Sequence, residues 1–306
     1  MNPELTALRE QIDEVDRQLV ALFRQRMAIS KIVAANKKAH GLPTLDPDRE
    51  RALLTKVRDQ AGEKLADYTE AVFRSILSAS RSYQNRCNKA GSQMYEAILG
   101  TLDTTPKRFP QGATVACRGV EGSYSQIACN SIFDSPTILY LDTFEDVFHA
   151  VESEMCQYGI LPIGCCAAGS ANDIYDLLIR HNVFIARSVC LNGLAPSVSK
   201  QDNLYARFLC ISPKLEIYPD ADHTSLMLTL SHKPGSLYHI LSEFCTLGIN
   251  LRKLESRPLS DRKSTFMFYV DLECSIYAPE MERLFRDLEE DSEQFRYLGT
   301  YREVIC

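Results

Sequence analysis

The sequence predicts a multidomain protein with an all-α segment, an α/β segment and an α+β segment of the ferredoxin-like type. Three observations lead to this fold class. Apolar residues in the first 88 positions recur at steps of three and four, as in amphipathic helices. From residue 113 onward, short apolar strands alternate with helical patterns, which indicates an α/β layer with a mostly parallel sheet. From residue 222 onward the order becomes strand, helix, strand, strand, helix, strand, which is the ferredoxin-like arrangement.

These patterns divide the chain into four parts. Residues 1–88 form the helical domain, and residues 89–112 are a linker that is rich in glycine and proline. Residues 113–212 form the α/β domain, and residues 222–306 form the ferredoxin-like domain.

The composition is that of an ordinary, mildly acidic globular protein of 306 residues with a net charge of -6. No basic stripe occurs, so no nucleic-acid partner is expected. No apolar run approaches a membrane span and the acidic N-terminus does not resemble a signal peptide, which predicts a cytoplasmic protein with no membrane partner. The eleven cysteines should be reduced. The six histidines are scattered without ligand spacing, so neither a metal ion nor a cofactor is predicted.

The first segment should contain three helices, of which the first, over residues 4–40, is the longest. At about 1.5 Å per residue this helix is about 50 Å long, too long for a small domain to cover, so a coiled-coil dimerisation arm is one interpretation. A second helix should begin at Asp46-Pro47, where a good N-cap precedes a proline. A third should run from Asp67 to Asn85. The apolar series of the first helix is Leu5, Leu8, Ile12, Val15, Leu19, Leu22, Ile29 and Val33, with Arg26 in the same register.

Several polar side chains share the apolar faces of these helices, where an unpaired charge is costly. They are Arg9, Arg26 and Lys37 on the first helix, Asp46, Arg49 and Glu50 at the start of the second, and Ser80 and Gln84 on the third. Buried ion pairs that set the register of a dimer would account for any one of them. For the whole set, four cations face two carboxylates. This excess predicts a small ligand with more than one carboxylate.

Residues 4–84 resemble the all-helical chorismate mutases that are fused to prephenate dehydratases. The similarity lies in ALREQIDEVDRQLVALFRQR, NKK, LDPDRER and the spacing of Ser80 and Gln84. The resemblance implies that chorismate's two carboxylates are held by Arg9 of the partner subunit, Arg26, Arg49 and Ser80. It also implies that Lys37 and Gln84 donate to the ether oxygen, while Glu50, with Asp46 nearby, takes the ring hydroxyl. Chorismate rearranges to prephenate in one pericyclic step, so positioned donors suffice.

The α/β segment, residues 113–212, resembles prephenate dehydratase, whose lobes are of the periplasmic-binding-protein type. The similarity lies in VACRGVEGSYSQIAC, FEDVFHAVESEMCQYGILPI and the tripeptide ARF at 206–208. The positions that match the family are Ser123, Tyr124, Ser125, Gly169, Ser170 and Arg207. Two roles are compatible with them, a structural one and a weak anion site.

Three departures from the family pattern fall in the dehydratase site. Gly164, Cys165 and Cys166 stand where the family has a polar turn, and Ala206 stands at its catalytic threonine. The dozen residues LNGLAPSVSKQD occur where the family inserts its second lobe. Because donors that transition-state binding requires are missing, the dehydratase reaction is expected to be absent or very slow. Two small apolar residues in a tight turn fit Cys165 and Cys166 better than a redox pair.

The C-terminal segment resembles the ACT regulatory domain of the same fusion proteins. The similarity lies in KPGSLYHIL at 233–241 and in the tetrapeptide ESRP at 255–258. The resemblance implies an allosteric phenylalanine site across a domain dimer, and a helix N-terminus suits a carboxylate. Its residues would be Gly235, Ser236, Leu237, Glu255, Ser256, Arg257 and Pro258. The alternative for ESRP is a strand end without a binding role.

The leading interpretation is a chorismate mutase of phenylalanine biosynthesis that has an inactive dehydratase segment and a domain that senses L-phenylalanine. It would act on chorismate without a cofactor, release prephenate, and form a homodimer or a higher homo-oligomer. A second interpretation is a working bifunctional enzyme that makes phenylpyruvate. A third is a non-enzymatic, phenylalanine-responsive binding protein, against which the complete mutase set argues.

Overall fold

The computed structural model describes residues 3–88, 91–163, 170–191, 206–233, 235–259 and 265–306. The chain divides into two compact units, residues 1–91 and residues 92–306. Within the described ranges, no helix is both long enough and apolar enough to cross a lipid bilayer.

The described part of the first unit is helical, as the apolar periodicity predicts. Its helices are α1 (Pro3–Ala39), α2 (Pro47–Ala61) and α3 (Ala66–Asn88). α3 packs against both α1 and α2. α2 begins at its predicted cap, where the side chain of Asp46 accepts a hydrogen bond from the backbone N–H of Arg49 at 3.0 Å. Pro47 follows in the first turn, where its missing N–H costs nothing.

Much of α1 is exposed in the single chain. The large apolar side chains along it are between 38% exposed (Phe23) and 70% exposed (Ile32). They are Leu5, Leu8, Ile12, Val15, Leu19, Val20, Leu22, Phe23, Ile29, Ile32 and Val33. We call this set the α1 stripe. A continuous apolar surface of this length marks an interaction site more often than an ordinary solvated face.

In the described residues of the second unit, nine strands form a single sheet. The strands are β1 (Thr114–Arg118), β2 (Thr137–Leu141), β3 (Tyr158–Pro162), β4 (Phe184–Leu191), β5 (Ala206–Ser212), β6 (His223–Ser231), β7 (Leu251–Pro258), β8 (Thr265–Leu272) and β9 (Gln294–Ile305). The helices are α4 (Gln93–Leu102), α5 (Tyr124–Ile132), α6 (Phe144–Glu152), α7 (Ser170–Arg180), α8 (Ser236–Thr246) and α9 (Pro279–Asp291). The spatial order of the strands is β2-β1-β3-β5-β4-β9-β6-β8-β7.

The sheet is mixed, whereas the sequence predicts a mostly parallel one for the α/β segment. β1 pairs parallel with β2 and β3, but β5 runs antiparallel to both β3 and β4. β4 then pairs parallel with β9. Periodicity reports which residues are buried and says nothing about strand direction, so this difference could not be read from the sequence. The strands β6 to β9 and the helices α8 and α9 follow the predicted ferredoxin-like order, and β6 pairs antiparallel with β8 and β9.

The predicted linker contains a helix, α4, that belongs to the second unit. Ile98 of α4 is 4% exposed and packs in the core formed by the ferredoxin-like elements. Tyr95 packs its ring edge-on against Phe285 of α9 and donates a hydrogen bond to the carbonyl of Ile276 at 3.1 Å. α4 has only ten residues and includes Gly100, so its sequence signal is weak. The further division of residues 92–306 into two domains stays a prediction.

β9 joins the two parts of the sheet. Its first half pairs with β6, and its last residues pair with β4. Gly299, which pairs with Ser225 of β6, has a φ of 149°, and a Cβ on it would lie 2.3 Å from the carbonyl oxygen of Ile185 in β4. Any side chain would collide with backbone there, so the crossing requires glycine.

Candidate active site in the helical unit

A cavity of about 420 Å³ lies between the three helices of the first unit. Seven of the eight predicted mutase residues line it, namely Arg26, Lys37, Asp46, Arg49, Glu50, Ser80 and Gln84. Apolar side chains complete the wall, namely Ile29, Val33, Leu53 and Leu77. The cavity therefore combines convergent polar groups with an apolar lining, as small-molecule sites do.

Arg26 is a cation without a full set of partners. Its Nη1 atom is buried and has no hydrogen-bond partner among the described residues. Burial lowers the pKa of Arg26, although the nearby Glu50 carboxylate opposes this shift. A buried donor that is left unpaired costs about 1–3 kcal/mol. An anion in the cavity would remove this cost.

Three further side chains present donors to the cavity. Lys37 Nζ donates to the carbonyl oxygen of Thr44 at 2.7 Å, and its ammonium group has two more N–H donors. Gln84 Nε2 donates to Ser80 Oγ at 3.3 Å, and Ser80 Oγ lies 2.8 Å from Ser30 Oγ. Gln84 Oε1 is buried and unpartnered within the described ranges. This part of the cavity thus has hydrogen-bonding capacity that the protein does not use.

The start of α2 supplies the remaining charged groups. The cap formed by Asp46 places Arg49 and Glu50 in the first turn, at the edge of the cavity. Glu50 forms a salt bridge with Arg81 of α3, and the two side chains are 23% and 16% exposed. The carboxylate of Glu50 therefore has its own counter-ion before any ligand enters.

The sequence did not point to three further residues that line the cavity, namely Ser30, Thr44 and Arg81. Ser30 lies one helical turn after Arg26, so the spacing of four that selected its neighbours would have selected it too. Arg81 is next to Ser80 in the sequence and does not share the four-residue spacing of Ser80 and Gln84, so helical periodicity does not identify it. With Arg81 counted, the cavity of one chain holds two more cations than carboxylates.

Arg9 does not reach the cavity of its own chain. It is exposed on α1 and stands about 25 Å before Arg26 along the helix axis, at the rise of an α-helix. Arg9 can therefore complete this cavity only from another chain.

The structure places the predicted dehydratase residues in different environments. Ser123 caps α5 by accepting a hydrogen bond from the backbone N–H of Gln126 at 3.4 Å. Tyr124 is exposed and Ser125 is buried. Ser170 begins α7. Gly169, the turn with Cys165 and Cys166, and residues 192–205 lie outside the described residues.

Arg207 is enclosed by acidic and phenolic groups. Its Nε donates to Glu303 Oε2 at 2.7 Å, its Nη2 donates to Tyr301 Oη at 2.9 Å, and its Nη1 pairs with Asp271. We call these four residues the junction cluster, and each is at most 9% exposed. Burial opposes the charged form, but Tyr301 and Asp271 outweigh it and raise the pKa of Arg207. Its guanidinium thus has hydrogen-bond partners on two other strands of the same unit.

The residues predicted to bind phenylalanine lie on two elements. Gly235 has a φ of 90° and precedes Ser236 and Leu237 at the start of α8, and residues 255–258 end β7. β7 also contacts the α/β part of the unit. Lys253 Nζ donates to the carbonyl oxygen of Ile163 at 2.7 Å, and Arg257 lies 3.4 Å from the carboxylate of Asp176 on α7.

Known protein families match both the helical segment and the α/β segment of the chain. Residues 8–85 match the family model of chorismate mutase type II, and residues 115–193 match that of prephenate dehydratase. A bifunctional chorismate mutase/prephenate dehydratase of Aquifex aeolicus is 22% identical over 99% of both chains. Another, of Escherichia coli strain K12, is 23% identical over 98% of this chain and 96% of its own.

Solved structures resemble the second part of the chain. A protein described as GqqA, a novel type of quorum-quenching acylase, is 28% identical with a TM-score of 0.53, over 61% of this chain and 94% of its own. A prephenate dehydratase from Arthrobacter aurescens in complex with L-Phe has a TM-score of 0.54 at 17% identity, over 62% of this chain and 90% of its own. The second likeness shows the fold alone.

The helical unit is therefore a type II chorismate mutase domain, and the chain is an enzyme with chorismate mutase activity. The chain belongs to the family of bifunctional chorismate mutase/prephenate dehydratases.

The salt bridge of Glu50 gives a stability prediction. Arg81→Met should lower the free energy of unfolding by about 1–3 kcal/mol, because it leaves a partly buried carboxylate without its partner. The matched control is Arg51→Met, whose pair with Asp48 has side chains that are 74% and 89% exposed, and it should cost less than about 0.5 kcal/mol. Denaturant unfolding followed by helical circular dichroism measures both, and equal losses in the two variants would contradict the assignment.

Proposed function

We propose that the cavity of the helical unit is the site where chorismate rearranges to prephenate. The observation that carries this proposal is the unpartnered Nη1 of Arg26 in a cavity with excess positive charge. A dicarboxylate would accept from this buried donor and balance the charge. The substrate and product are those of the family.

The carboxylates of chorismate would be held by the cationic groups. Arg26 supplies its free Nη1, Arg49 supplies a guanidinium at the start of α2, and Ser80 supplies a hydroxyl. A guanidinium matches the two oxygens of a carboxylate, so the pair is directional as well as strong. Holding both carboxylates would keep the substrate in the folded conformer that the rearrangement needs.

Lys37 and Gln84 would stabilise the charge that grows as the C–O bond breaks. Lys37 uses one N–H on Thr44 and keeps two for a ligand, and the NH2 group of Gln84, which donates to Ser80, has a second N–H. Donors that are already in place when charge develops lower the barrier without reorganising. Loss of one such donor typically costs about 10²–10³ in kcat.

Glu50 would accept a hydrogen bond from the ring hydroxyl. An ionised carboxylate can only accept hydrogen bonds, and Glu50 already forms a salt bridge with Arg81. Asp46 would act nearby by keeping the first turn of α2 in place through its cap.

The complete site would require a second copy of the chain. The α1 stripe is exposed in the single chain, and Arg9 lies on the same helix far from the cavity of its own chain. Pairing α1 with a second α1 would cover the stripe and bring Arg9 of the partner subunit to the cavity. A homodimer would both cover the α1 stripe and complete the cavity, so neither feature requires a different partner.

The dehydratase segment is proposed to be inactive. The junction cluster supports this, because the guanidinium of Arg207 is occupied by internal carboxylates, and Ala206 offers no hydroxyl. The alignment with the Aquifex aeolicus enzyme runs over 383 positions, while the present chain has 306 residues, which fits a missing lobe. The competing function is a working bifunctional enzyme, and the match of residues 115–193 to prephenate dehydratase favours it.

The C-terminal elements are proposed to form an ACT domain that binds L-phenylalanine. The order of β6 to β9 with α8 and α9 supports the fold, and the Arthrobacter aurescens relative was crystallised with L-Phe. No side chain caps the start of α8 at the left-handed Gly235, whose own side-chain position is open, and a helix N-terminus favours a carboxylate. The contacts of Lys253 and Arg257 would carry the effect of binding into the α/β part.

A mixed-subunit experiment tests the shared active site. Arg9→Ala and Arg26→Ala homodimers should each lose mutase activity, because every site lacks one cation. Heterodimers of the two should recover about half the wild-type activity, since one of their two sites has both arginines. Coexpressed, tandem-tagged chains assayed for chorismate loss would reveal this. Unchanged inactivity of the heterodimer, or an active monomer by light scattering, would contradict site sharing.

The dehydratase proposal is tested by following two products at once. Incubation of the purified protein with chorismate at neutral pH should accumulate prephenate, and phenylpyruvate should form no faster than without enzyme. Several donors are missing from the site, and each typically contributes about 10²–10³ in rate. Neutral pH is required because prephenate aromatises unaided in acid. Phenylpyruvate formation at ordinary enzymatic rates would establish the bifunctional alternative.

The phenylalanine site is tested by ligand-induced stabilisation. L-Phenylalanine should raise the melting temperature of the second unit, by an amount that corresponds to about 2.7 kcal/mol at a hundred times its dissociation constant. Gly235→Ala should abolish the shift by straining the start of α8. Gly62→Ala is the matched control, because that glycine also has a positive φ and an open side-chain position but lies in the helical unit. A shift that survives in Gly235→Ala would refute this site.

A further inference from the structure

A cluster of histidine and glutamate side chains lies between α6 and the end of α7, outside every site that the sequence predicts. Glu145 and His149 stand on α6, and His181 follows α7. His181 Nε2 lies 3.3 Å from Glu145 Oε1, and His149 Nε2 lies 3.8 Å from the same oxygen. The three potential ligand atoms all lie within 4.8 Å of one another.

The fold holds these side chains in place. Glu145 and His149 are one turn apart on α6, whose start is fixed by a capping box between Thr143 and Asp146. The ring of His181 stacks on Phe148, with 4.9 Å between the ring centroids, and meets His149 edge-on at 5.1 Å. His181 is only 7% exposed, so its orientation is set by packing.

A second carboxylate determines which nitrogen of His181 faces the cluster. Glu152 Oε2 lies 2.8 Å from His181 Nδ1, and the backbone N–H of Asn182 donates to Glu152 Oε1 at 2.7 Å. The short contact with Glu152 holds His181 by its Nδ1 side, so Nε2 is the ring nitrogen that faces Glu145.

The separations within the cluster fit a single metal ion. A hydrogen bond between His181 and Glu145 would use two of the three groups, whereas a metal ion would use all three. Zinc binds nitrogen at about 2.0–2.1 Å, so two ligands of a tetrahedral site lie about 3.3 Å apart. The distances from Glu145 Oε1 to the Nε2 atoms of His181 and His149, 3.3 and 3.8 Å, are close to this value.

The surrounding arginines leave the ligand atoms accessible. Arg180 Nη2 lies 3.5 Å from Glu145 Oε2, so the other oxygen of this carboxylate, Oε1, faces the histidines. Arg296 directs its guanidinium to the backbone carbonyls of Leu178, His181 and Val183. Neither arginine is hydrogen-bonded to a ring nitrogen of the cluster.

We propose that Glu145, His149 and His181 bind one divalent transition-metal ion of the zinc class, with a fourth position open to water. Two imidazoles and a carboxylate suit zinc, cobalt or nickel better than magnesium or calcium, which prefer oxygen ligands. Glu152 is the supporting carboxylate that orients His181, as in many zinc sites. The ion would join α6 to the end of α7. This proposal goes against the expectation of no metal site, which rested on the wide spacing of the histidines in the sequence.

The test uses the full-length protein, stripped of metal with a chelator at near-neutral pH. Zinc is titrated against a chromophoric chelator to obtain stoichiometry and affinity, and cobalt is titrated as a spectroscopic probe. The expected result is one ion per chain, a higher melting temperature of the second unit, and cobalt absorption without a thiolate charge-transfer band. The absence of a thiolate band distinguishes binding at this cluster from binding by cysteine side chains.

Three variants decide which residues bind the ion. His149→Ala should weaken zinc binding at least tenfold without unfolding the protein, because its side chain is 64% exposed. Glu152→Gln should weaken it by about 10–100-fold, the usual effect of losing a supporting carboxylate. His40→Ala, at the exposed end of α1, is the matched control and should bind as the wild type does. No binding by the wild type, a thiolate band with cobalt, or equal affinity in His149→Ala and His40→Ala would overturn the proposal.

Discussion

The second unit depends on one buried guanidinium that three strands share. Arg207 of β5 pairs with Asp271 of β8 and Glu303 of β9, and all three side chains are nearly inaccessible to water. Removing one partner of such a group typically costs about 3–5 kcal/mol, because the others remain buried and unpaired. The pairing therefore favours the arrangement in which the α/β strands and the ferredoxin-like strands continue as one sheet. β9 makes this possible by passing β4 at Gly299, where no side chain fits.

The same residue type has the opposite role in the helical unit. Arg26 is buried enough for its pKa to be lowered, yet one of its nitrogens has no partner within the described residues. Arg207 has internal carboxylates for partners, whereas Arg26 has a donor left over for the ligand that we propose. The contrast shows that an arginine can match a family pattern in sequence and still have a different environment in the structure. ARF at 206–208 keeps the arginine of the dehydratase pattern, but its environment directs the charge to the protein itself.

The contacts of β7 connect the C-terminal elements to the remainder of the second unit. Lys253 reaches the carbonyl of Ile163, and Arg257 pairs with Asp176 on α7. α7 in turn ends next to His181, whose cluster reaches α6. A ligand at the start of α8 and a metal ion at this cluster would thus both act on the position of α7. Helix positions are set by packed contacts of this kind, so binding at either place is expected to stabilise the same part of the fold.

The sequence by itself determined the helices of the first unit, the order of the nine strands in the second, and seven polar residues that line the cavity of the helical unit. These features follow from local periodicity, caps and spacing, which act over one or two helical turns. Only the tertiary structure decided the direction of β5, the inclusion of α4, the counter-ion Arg81 of Glu50, and the pairing that encloses Arg207. It also brought His149 and His181 together. Each of these joins residues far apart in the chain, and their contact depends on packing, which local patterns do not record.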